Sequence, residues 1–317
     1  MHEAMKSTAG AKRGMLEEVA EGLARPQKEL PPKYFYDARG SLLFDEITRL
    51  PEYYLTRAER ELLAGFAPGW VAALAPRALV ELGPGSADKT RILLDALAPG
   101  AWYVPVDISP SYLEAIAGDI GAEYPQLDVV TALSDIARGL AVPPDLPRPA
   151  LLAFLGSTIG NFDRASAVRL LRRVRRAMGA GDRFLMGADL KKDPHVLEAA
   201  YNDARGVTAA FNLNILRVVN RELGADFDPG AFEHRAFYDA ARGRIEMHLV
   251  ARSKQVVHIP RAGRFAIEAG ESIRTEISCK YDRATIERLF DDAGLELEHW
   301  VTDRDGLHAL VTARPAA

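Results

Sequence analysis

Short apolar segments alternate with amphipathic ones through the middle of the chain. Apolar runs predict five strands, at Ala78–Leu82, Trp102–Ile108, Leu127–Leu133, Ala150–Gly156 and Arg183–Leu190. Apolar residues at helical spacing predict helices between them, at Arg91–Leu97, Ser111–Ile120 and Ala165–Met178. Strands that alternate with helices of this length form βαβ units, so the pattern predicts an α/β fold with a doubly wound parallel sheet.

The pattern changes after residue 195. His195–Leu223 is a long stretch that is predicted to be mainly helical. Arg244–Pro260 and Phe265–Ser278 then alternate polar and apolar residues, as antiparallel strands with one face in water do. A helix over Arg283–Ala293 follows. The chain is then predicted to close with a hairpin of two strands joined by the turn DRDG, at Leu295–Thr302 and Leu307–Ala313.

This organisation predicts two domains, which is also the number that 317 residues fit. We expect a nucleotide domain of residues 63–195 plus 287–317. A mixed α+β substrate-binding domain would combine residues 1–62 with residues 196–286. The active site is expected in the cleft between them.

Composition and charge narrow the class of protein. Hydrophobic residues make up 48% of the chain and charged residues 26%, which is average for soluble globular proteins. The formal net charge of −4 gives no electrostatic reason to expect nucleic acid or an anionic membrane as a partner. One basic cluster, Arg172, Arg173, Arg175 and Arg176, lies on a predicted amphipathic helix, where we expect a solvated face.

Cysteine and histidine usage argues against a metal site. Cys279 is the single cysteine, so an internal disulfide and a zinc site built on thiolates are excluded. The seven histidines have no metal-binding spacing, and we expect no metal. The first residues lack the apolar core of a secretory leader, and no run of about 18 apolar residues is present. These features predict a cytoplasmic protein. We also expect a monomer whose partner is a small-molecule amino-acid substrate.

A glycine turn, ELGPGSADK from Glu81 to Lys89, follows the first predicted strand. Gly83 and Gly85 permit backbone angles closed to other residues and let a ligand approach without a Cβ in the way. Asp88 stands where a dinucleotide-binding turn has its third glycine, and a carboxylate there would repel a pyrophosphate. S-adenosylmethionine has no phosphate and its sulfonium tolerates acidic neighbours, so the turn favours this cofactor.

Acidic residues follow at the ends of the next two predicted strands. Asp107 lies 24 residues after Gly83, where an acid can accept from both hydroxyls of an adenosine ribose. Asp135 is placed to receive the adenine amino group. A plain turn with two surface acids is the alternative interpretation of the same residues.

Longer blocks of sequence are more specific than this turn. They are LPPKYFYDARGSLLFDEITRLPEYYLTRAE (30–59), ELGPGSADKTRILLDAL (81–97), FLGSTIGNF (154–162), GVTAAFNLNILRVVNREL (206–223), RIEMHL (244–249) and TEISCKY (275–281). Through them the chain resembles the ergothioneine-pathway L-histidine Nα-methyltransferases, from about Leu30 to the C-terminus. These enzymes form hercynine, trimethylhistidine, with S-adenosylmethionine, on a Rossmann-like methyltransferase sheet.

The resemblance implies roles for individual residues. It places the cofactor on Gly83, Lys89, Asp107 and Asp135, to which the glycine turn itself adds Gly85. It places the substrate carboxylate on Asn161 and Tyr201. The substrate amine would be surrounded by Tyr36, Phe44, Tyr53 and Gly156. The imidazole would be read by Glu276 and Ser278, with Met247 packed beside it. Pro84 departs from many relatives, and because proline has no N–H, neighbouring residues must supply the backbone donors.

Methyl transfer from a sulfonium to nitrogen sets requirements that these residues can meet. The attacking amine must be neutral, and Tyr36 is the candidate that passes its proton outward. The dimethylated amine has no N–H to spare, so the substrate must be fixed by its carboxylate and side chain, with aromatic faces around the quaternary product. Glu276 and Ser278, two residues apart on a strand, would share one face.

Plainer interpretations and other functions compete with this one. Asn161 could cap the helix that starts near Ala165, Glu276 and Ser278 could form a wet strand face, and Tyr201 could lie on an exposed helix. Tryptophan or another amino acid could replace histidine as the substrate. A nicotinamide dehydrogenase and a non-catalytic adenosyl-binding domain are further alternatives. The missing third glycine argues against the dehydrogenase.

Overall fold

The computed structural model describes residues 2–85 and 87–316, with side chains from Lys12 onward. Contacts divide the chain into two compact units: unit 1 is Met1–Tyr53 with Asp193–Ser278, and unit 2 is Tyr54–Lys192 with Cys279–Ala317. The domain boundaries expected after residues 62, 195 and 286 stay a prediction, because a compact unit of contacts is not by itself an independently folding domain.

Helices and strands occupy most of the described residues. The helices are α1 (His2–Ala24), α2 (Ala38–Ile47), α3 (Leu55–Leu74), α4 (Thr90–Leu94), α5 (Pro110–Glu123), α6 (Arg164–Ala177), α7 (Pro194–Tyr201), α8 (Val207–Leu223) and α9 (Arg283–Ala293). The strands are β1 (Lys28–Glu29), β2 (Ala78–Leu82), β3 (Trp102–Asp107), β4 (Asp128–Val129), β5 (Ala132–Leu133), β6 (Ala150–Phe154), β7 (Arg183–Asp189), β8 (Phe232–Asp239), β9 (Arg244–Ala251), β10 (Gln255–Ile259), β11 (Gly263–Ile267), β12 (Ser272–Cys279), β13 (Leu295–Thr302) and β14 (His308–Pro315). Short 3₁₀ turns lie at Pro32–Phe35, Thr158–Asn161 and Pro229–Ala231. Within the described residues, no helix is both long and apolar enough to cross a membrane.

Unit 2 is built on one large sheet in the order β13-β14-β7-β6-β2-β3-β4, with β5 also beside β3. Strand β2 pairs in parallel with β3 on one side and with β6 on the other, and β6 pairs in parallel with β7. The antiparallel hairpin of β13 and β14 extends this sheet beyond β7. The doubly wound α/β fold predicted from the sequence is therefore confirmed. Its strand order reverses at β2, and sheets of this kind bind ligands at the carboxyl ends of the strands at that point.

Both faces of this sheet are covered by apolar residues. Val80 and Leu82 of β2 belong to one core cluster, and Leu79 belongs to another. All five residues of β2 and all five of β6 are buried. Strands buried on both faces need continuous apolar sequence, which is why these two segments are clear in the sequence.

Unit 1 contains a four-stranded sheet in the order β1-β12-β9-β8 and a separate two-stranded hairpin of β10 and β11. Strands β8 and β9 are antiparallel, while β1 is parallel to β12. Helix α8 is joined to this sheet by the buried amide of Asn212, which accepts from Thr275 Oγ1 at 2.6 Å and donates to the His248 carbonyl at 3.1 Å. Such satisfied buried polar groups fix a helix on a sheet in one register.

Several predicted elements differ from the observed ones. The predicted strand Leu127–Leu133 is two short pieces, β4 and β5, because it lies at the sheet edge with β3 as its neighbour. The predicted helical stretch His195–Leu223 breaks at Asn202–Gly206, where Gly206 has a φ of +72° and Asp203 accepts from Val207 and Thr208 N–H. Strand β8 was not predicted, because its sequence FEHRAFYD alternates only weakly.

The arginines of α6 also correct an expectation. Arg172, Arg173 and Arg175 donate to backbone carbonyls of neighbouring segments, at Asp292, Ala137 and Gly294, at 2.8–3.0 Å. They are therefore only partly a solvated face. Two of these carbonyls belong to the end of α9, which a cation stabilises through unpaired carbonyl groups and the helix dipole.

Candidate active site

The turn after β2 has the open backbone that its glycines predict. Gly83 and Gly85 have φ angles of +65° and +56°, and a Cβ at either position would meet no atom within 4 Å. The N–H of Gly83 donates to the Val106 carbonyl at 2.9 Å, and the N–H of Ala87 donates to Pro84 at 3.1 Å. The N–H groups of Gly83 and Ala87 are thus already used, and Pro84 has no N–H. A ligand at this turn must therefore find backbone donors on neighbouring residues. Ser86 lies outside the described residues.

Asp107 ends β3 beside this turn, and Asp135 follows β5. The Asp107 carboxylate is half-buried and accepts the Ser109 N–H at 2.9 Å, and burial raises the pKa of Asp107 despite that bond. A partly desolvated carboxylate gains from further donors such as a pair of ribose hydroxyls. Asp135 is also half-buried, and its carboxylate accepts from the Ala137 N–H at 3.0 Å.

Two apolar residues that the sequence did not single out flank these acids. Ile108 follows Asp107 and is 50% exposed, and Leu133 lies opposite Asp107 in the sheet and is 59% exposed. Exposed branched side chains beside half-buried carboxylates suit a ligand with an apolar ring and polar edges, such as an adenosine. The signal in the sequence is an apolar residue at the end of a strand, where a solvent-facing side chain would usually be polar.

Lys89 lies at the start of α4, with its ammonium against the carboxylate of Glu59 from α3. Glu59 is fully buried and accepts the Gly156 N–H with both oxygens, at 2.7 and 2.9 Å. Gly156 has a φ of +76°, and a Cβ there would lie 3.6 Å from Lys89 Nζ. The structure therefore brings together Lys89 and Gly156, and Glu59 is a residue that the sequence interpretation missed.

Asn161 ends the 3₁₀ turn after β6. It does not cap α6: that role belongs to Asp163, which accepts the Ser166 N–H at 2.7 Å. The Tyr281 hydroxyl stabilises this turn by donating a hydrogen bond to the Ile159 carbonyl at 3.1 Å. Asn161 is half-buried, and among the described residues no hydrogen bond of its side-chain amide is found. The alternative of a helix cap for Asn161 is therefore wrong.

Unit 1 brings the predicted aromatic residues into one cluster. Tyr36 and Phe44 have ring centroids 5.7 Å apart, Phe44 and Tyr53 6.2 Å, and Tyr53 and Tyr201 6.3 Å. Phe211 of α8 also belongs to it, at 5.7 Å from Tyr36 and 5.9 Å from Phe44. The sequence interpretation missed Phe211, although it lies within one of the quoted blocks. Edge-to-face rings at these distances are the arrangement from which cages for quaternary ammonium groups are made.

Helix α2, which carries Phe44, is fixed to α8 by a capping carboxylate. Asp37 accepts the Gly40 N–H at 2.7 Å and the Asn214 amide at 2.8 Å. Gly40 has no room for a side chain, since a Cβ there would overlap the Phe35 carbonyl. The signal for this arrangement in the sequence is the pair Asp37 and Gly40 at N-cap and N3.

Polar groups of unit 1 lie next to these rings. The Tyr201 hydroxyl donates to Ser278 Oγ at 2.9 Å, and both residues are buried. Half of the Tyr36 side chain is exposed, but burial around its hydroxyl, followed by Glu276 and Tyr201, raises the pKa of Tyr36 above its ordinary value. A hydroxyl with a raised pKa stays protonated near neutral pH. It can therefore relay a proton through a hydrogen bond, but it is a poor phenolate base.

Glu276 is half-buried on β12 and acts on Tyr36 electrostatically. Met247 is buried on β9 opposite Ala236, and its carbonyl accepts from Thr275 Oγ1 at 3.1 Å. Contacts within unit 1 join Tyr36, Phe44, Tyr53, Tyr201 and Ser278. Glu276 is linked to this group through its electrostatic effect on the pKa of Tyr36. The described contacts do not join Met247 to that group, so its place beside an imidazole stays a prediction.

The residues of unit 2 fit an adenosyl cofactor without phosphates. The open backbone over Gly83 and Gly85 leaves room for a ligand, while Asp107 offers a carboxylate where a ribose would need an acceptor. Ile108 and Leu133 offer apolar surface next to it. Asp88, at the position of the third glycine, is exposed.

Comparisons with known proteins identify the family. A model described as "Histidine-specific methyltransferase, SAM-dependent" matches residues 15–315. The chain is 44% identical over 293 residues to the histidine N-alpha-methyltransferase of Mycolicibacterium smegmatis, with 91% of each chain covered. It is 30% identical over 309 residues to ergothioneine biosynthesis protein 1 of Neurospora crassa, which covers 90% of this chain but only 33% of that longer protein.

A solved structure shares the fold alone. An S-adenosylmethionine-dependent methyltransferase from Clostridium acetobutylicum superposes with a TM-score of 0.51 at 12% identity, covering 86% of this chain and 98% of the other. This agrees with the Rossmann-like sheet of unit 2. Together with the family match over nearly the whole chain, it leads to one conclusion: the chain belongs to the histidine-specific, S-adenosylmethionine-dependent methyltransferases.

Proposed function

We propose that this protein is an L-histidine Nα-methyltransferase that adds three methyl groups to the α-amine and forms hercynine for ergothioneine biosynthesis. The observation that carries the proposal furthest is the family match over residues 15–315. The name of the Neurospora crassa relative supports the pathway. The proposal extends the family's activity to the number of methyl groups, the product and the individual residues. We further propose that the enzyme works as a cytoplasmic monomer.

Residues of unit 2 would hold the cofactor: Gly83, Gly85, Lys89, Asp107 and Asp135. S-adenosylmethionine, when bound, supplies a methyl group on a positively charged sulfur. Asp107 would accept from the ribose hydroxyls, and the open turn over Gly83 would let the ligand approach the backbone. The Lys89 ammonium would donate a hydrogen bond to the carboxylate of the cofactor.

Residues of unit 1 would recognise the imidazole and the amine. Glu276 accepts when ionised, and Ser278 can donate or accept, so the pair matches the donor and acceptor of a neutral imidazole. Tyr36, Phe44 and Tyr53, with Gly156 of unit 2, would surround the amine. The aromatic rings stabilise a quaternary ammonium without needing an N–H from it. Met247 would limit the size of the side chain that fits.

The substrate carboxylate would be bound by the Asn161 amide and the Tyr201 hydroxyl. Within the part of the chain that the structure describes, the half-buried amide of Asn161 has no hydrogen bond, and a substrate carboxylate would supply one. Tyr36 would take part in removing the amine proton through its hydroxyl. With the substrate fixed at both ends, the amine is positioned for in-line attack at every one of the three methylations.

Mass spectrometry tests the proposal directly. The protein is incubated with L-histidine and S-adenosylmethionine, and products with one, two and three added methyl groups are sought over time. Histamine, which lacks the carboxylate, is expected to be a very poor substrate, and tryptophan a poor one. Accumulation of a monomethylated product alone would overturn trimethylation, and faster turnover of tryptophan would overturn histidine as the substrate.

Cofactor binding is tested separately by thermal melts. S-adenosylhomocysteine at about 100 times its Kd is expected to stabilise the protein by about 2.7 kcal/mol, while NAD has no effect. A melting shift with NAD and none with S-adenosylhomocysteine would instead support the dehydrogenase alternative.

A further inference from the structure

Glu59 of α3 stands out among the buried carboxylates of unit 2 because of what it touches. Its oxygens accept the N–H of Gly156 at 2.7 and 2.9 Å, and one of them meets the ammonium of Lys89. Lys89 follows β2 and Gly156 follows β6, and these strands are neighbours at the point where the strand order reverses. One side chain therefore joins the two loops at the carboxyl ends of the central strands.

The surroundings of Glu59 are shaped to hold a carboxylate in one place. A Cβ at Gly187 of β7 would overlap Glu59 Oε1, so only glycine leaves room for it there. The ring of His308 lies on the same side, with Nε2 3.4 Å from Oε1. Burial opposes ionisation of Glu59, but Lys89 and His308 outweigh it and lower the pKa to about 2. Glu59 is therefore ionised near neutral pH.

Stability alone does not explain such a group. Replacing a buried ion pair with apolar residues of similar volume is often neutral or stabilising, because desolvation offsets the Coulomb attraction. Here the carboxylate also binds a backbone N–H of a loop that ends at Asn161. That loop includes Asn161, which is proposed to bind the substrate. Lys89 is proposed to bind the cofactor.

We propose that Glu59 is a positioning residue that aligns the cofactor-side lysine with the substrate-side loop. Its carboxylate holds Lys89 at the start of α4 and the loop from Gly156 to Asn161 at the same time. It touches neither ligand itself. For the identity of the ligands the inference rests on the proposed function, and the experiment below therefore includes readouts that need no turnover.

Two substitutions separate the two contacts. Glu59→Ala removes both, whereas Glu59→Gln keeps an oxygen for the Gly156 N–H but removes the charge that holds Lys89. Hydrogen exchange of the peptide covering residues 155–161 reports the loop, and calorimetry with S-adenosylhomocysteine reports the cofactor side. Glu61→Gln is the matched control, because Glu61 lies exposed on the same helix.

Glu59→Ala is expected to speed exchange of this peptide and to raise the Kd for S-adenosylhomocysteine by about tenfold or more. Glu59→Gln is expected to raise that Kd while leaving the loop protected, and Glu61→Gln to change neither. If Glu59→Ala does not fold, Gly187→Ala, which forces the carboxylate to move, takes its place with the same expectation.

Unchanged Kd and exchange in Glu59→Ala would overturn the inference. Faster exchange spread evenly over all peptides of unit 2 would do so as well, because it would show a role in stability only. The expected pattern in a protein that fails to methylate histidine would refute the proposed function and leave the positioning role intact.

Discussion

The two compact units surround their proposed ligand sites with different polar groups. Unit 2 pairs buried ions: Glu59 meets Lys89, and Asp189 at the end of β7 meets Lys280 at 2.7 Å and Lys192 at 2.5 Å. Around its proposed substrate residues, unit 1 uses aromatic rings and hydroxyls, as in the bond from Tyr201 to Ser278. The rings and hydroxyls around the proposed amine position carry no charge, whereas the pair of Glu59 and Lys89 is ionic.

The chemistry of the proposed reaction accounts for this difference. An amine that gains methyl groups loses its N–H donors one after another, so a fixed ionic partner would suit one stage and not the next. Aromatic faces and hydroxyls serve all stages alike. The loops on the cofactor side must bind the same cofactor in each of the three methylations. Rigid ion pairs on a parallel sheet suit this constant requirement.

The largest effect is expected from removing the carboxylate next to the aromatic cluster. Glu276→Ala should lower kcat/KM for histidine by about 2–4 kcal/mol, or about 30- to 900-fold, because the imidazole N–H loses a charged acceptor. Steady-state kinetics measure this, with Glu233→Ala as the control because Glu233 is exposed on β8. The Kd for S-adenosylhomocysteine should stay unchanged. Near wild-type efficiency on histidine would remove Glu276 as the imidazole reader.

Glu81 tests whether the buried ions of unit 2 depend on a cation beside them. Glu81 is 2% exposed and accepts from two neutral hydroxyls, Thr90 and Tyr103, each at 2.8 Å. Burial raises the pKa of Glu81 from 4.5 to about 7, whereas Glu59, with Lys89 against it, has a pKa of about 2. The raised value means that the folded state holds this proton more tightly than the unfolded state. Protonation of Glu81 therefore contributes to the free energy of unfolding; this contribution is fully present below pH 4.5 and is lost as the pH rises through 7.

Glu81→Gln cannot titrate, so its free energy of unfolding should improve relative to wild type as the pH rises. Between about pH 5 and pH 8 the difference should grow by about 2–3 kcal/mol. Urea unfolding at the two pH values measures it, with Glu114→Gln on the exposed face of α5 as the control. A difference that does not depend on pH would show that Glu81 is ionised throughout.

The central strands of unit 2 and the turn after β2 could be predicted from the sequence because their signals are local. Gly83 and Gly85 mark a turn by themselves, and the buried strands on either side are continuous apolar runs. The partners of Glu59 could not be predicted, since they lie 30 and 97 residues away. Only its burial has a signal in the sequence, because Glu59 lies on the same helix face as Leu55, Leu62 and Leu63 while Glu61 does not. The positions of Tyr201 and Ser278, 77 residues apart, were expected only through resemblance to a family.

Asp107 tests the cofactor side of the comparison. Asp107→Ala should weaken the binding of S-adenosylhomocysteine by about 1.5–3 kcal/mol, which raises the Kd about 10- to 150-fold, because charge-assisted hydrogen bonds to the ribose hydroxyls are lost. Calorimetry measures this, and Asp119→Ala, on the exposed face of α5, should leave binding unchanged. The KM for histidine, measured at saturating cofactor, should stay close to that of wild type. An unaltered Kd would place the ribose elsewhere.

Asn161 is the sharpest test of where substrate recognition ends and folding begins, because it lies two residues from a true helix cap. Its amide has no hydrogen bond among the described residues, whereas Asp163 caps α6 through the Ser166 N–H. Asn161→Ala should therefore raise the KM for histidine about tenfold, equivalent to about 1.4 kcal/mol, with little change in Tm or in the Kd for S-adenosylhomocysteine.

Asp163→Ala should do the opposite: it should lower the stability by about 1 kcal/mol through the lost cap, and leave the KM nearly unchanged. Steady-state kinetics and thermal melts on both variants separate these effects. An equal rise in KM and an equal fall in Tm in the two variants would mean that the segment acts as one structural unit. Asn161 would then have no separate part in binding the carboxylate. A raised KM confined to Asn161→Ala, absent when histamine replaces histidine, would assign the amide to that carboxylate, since histamine has none to lose.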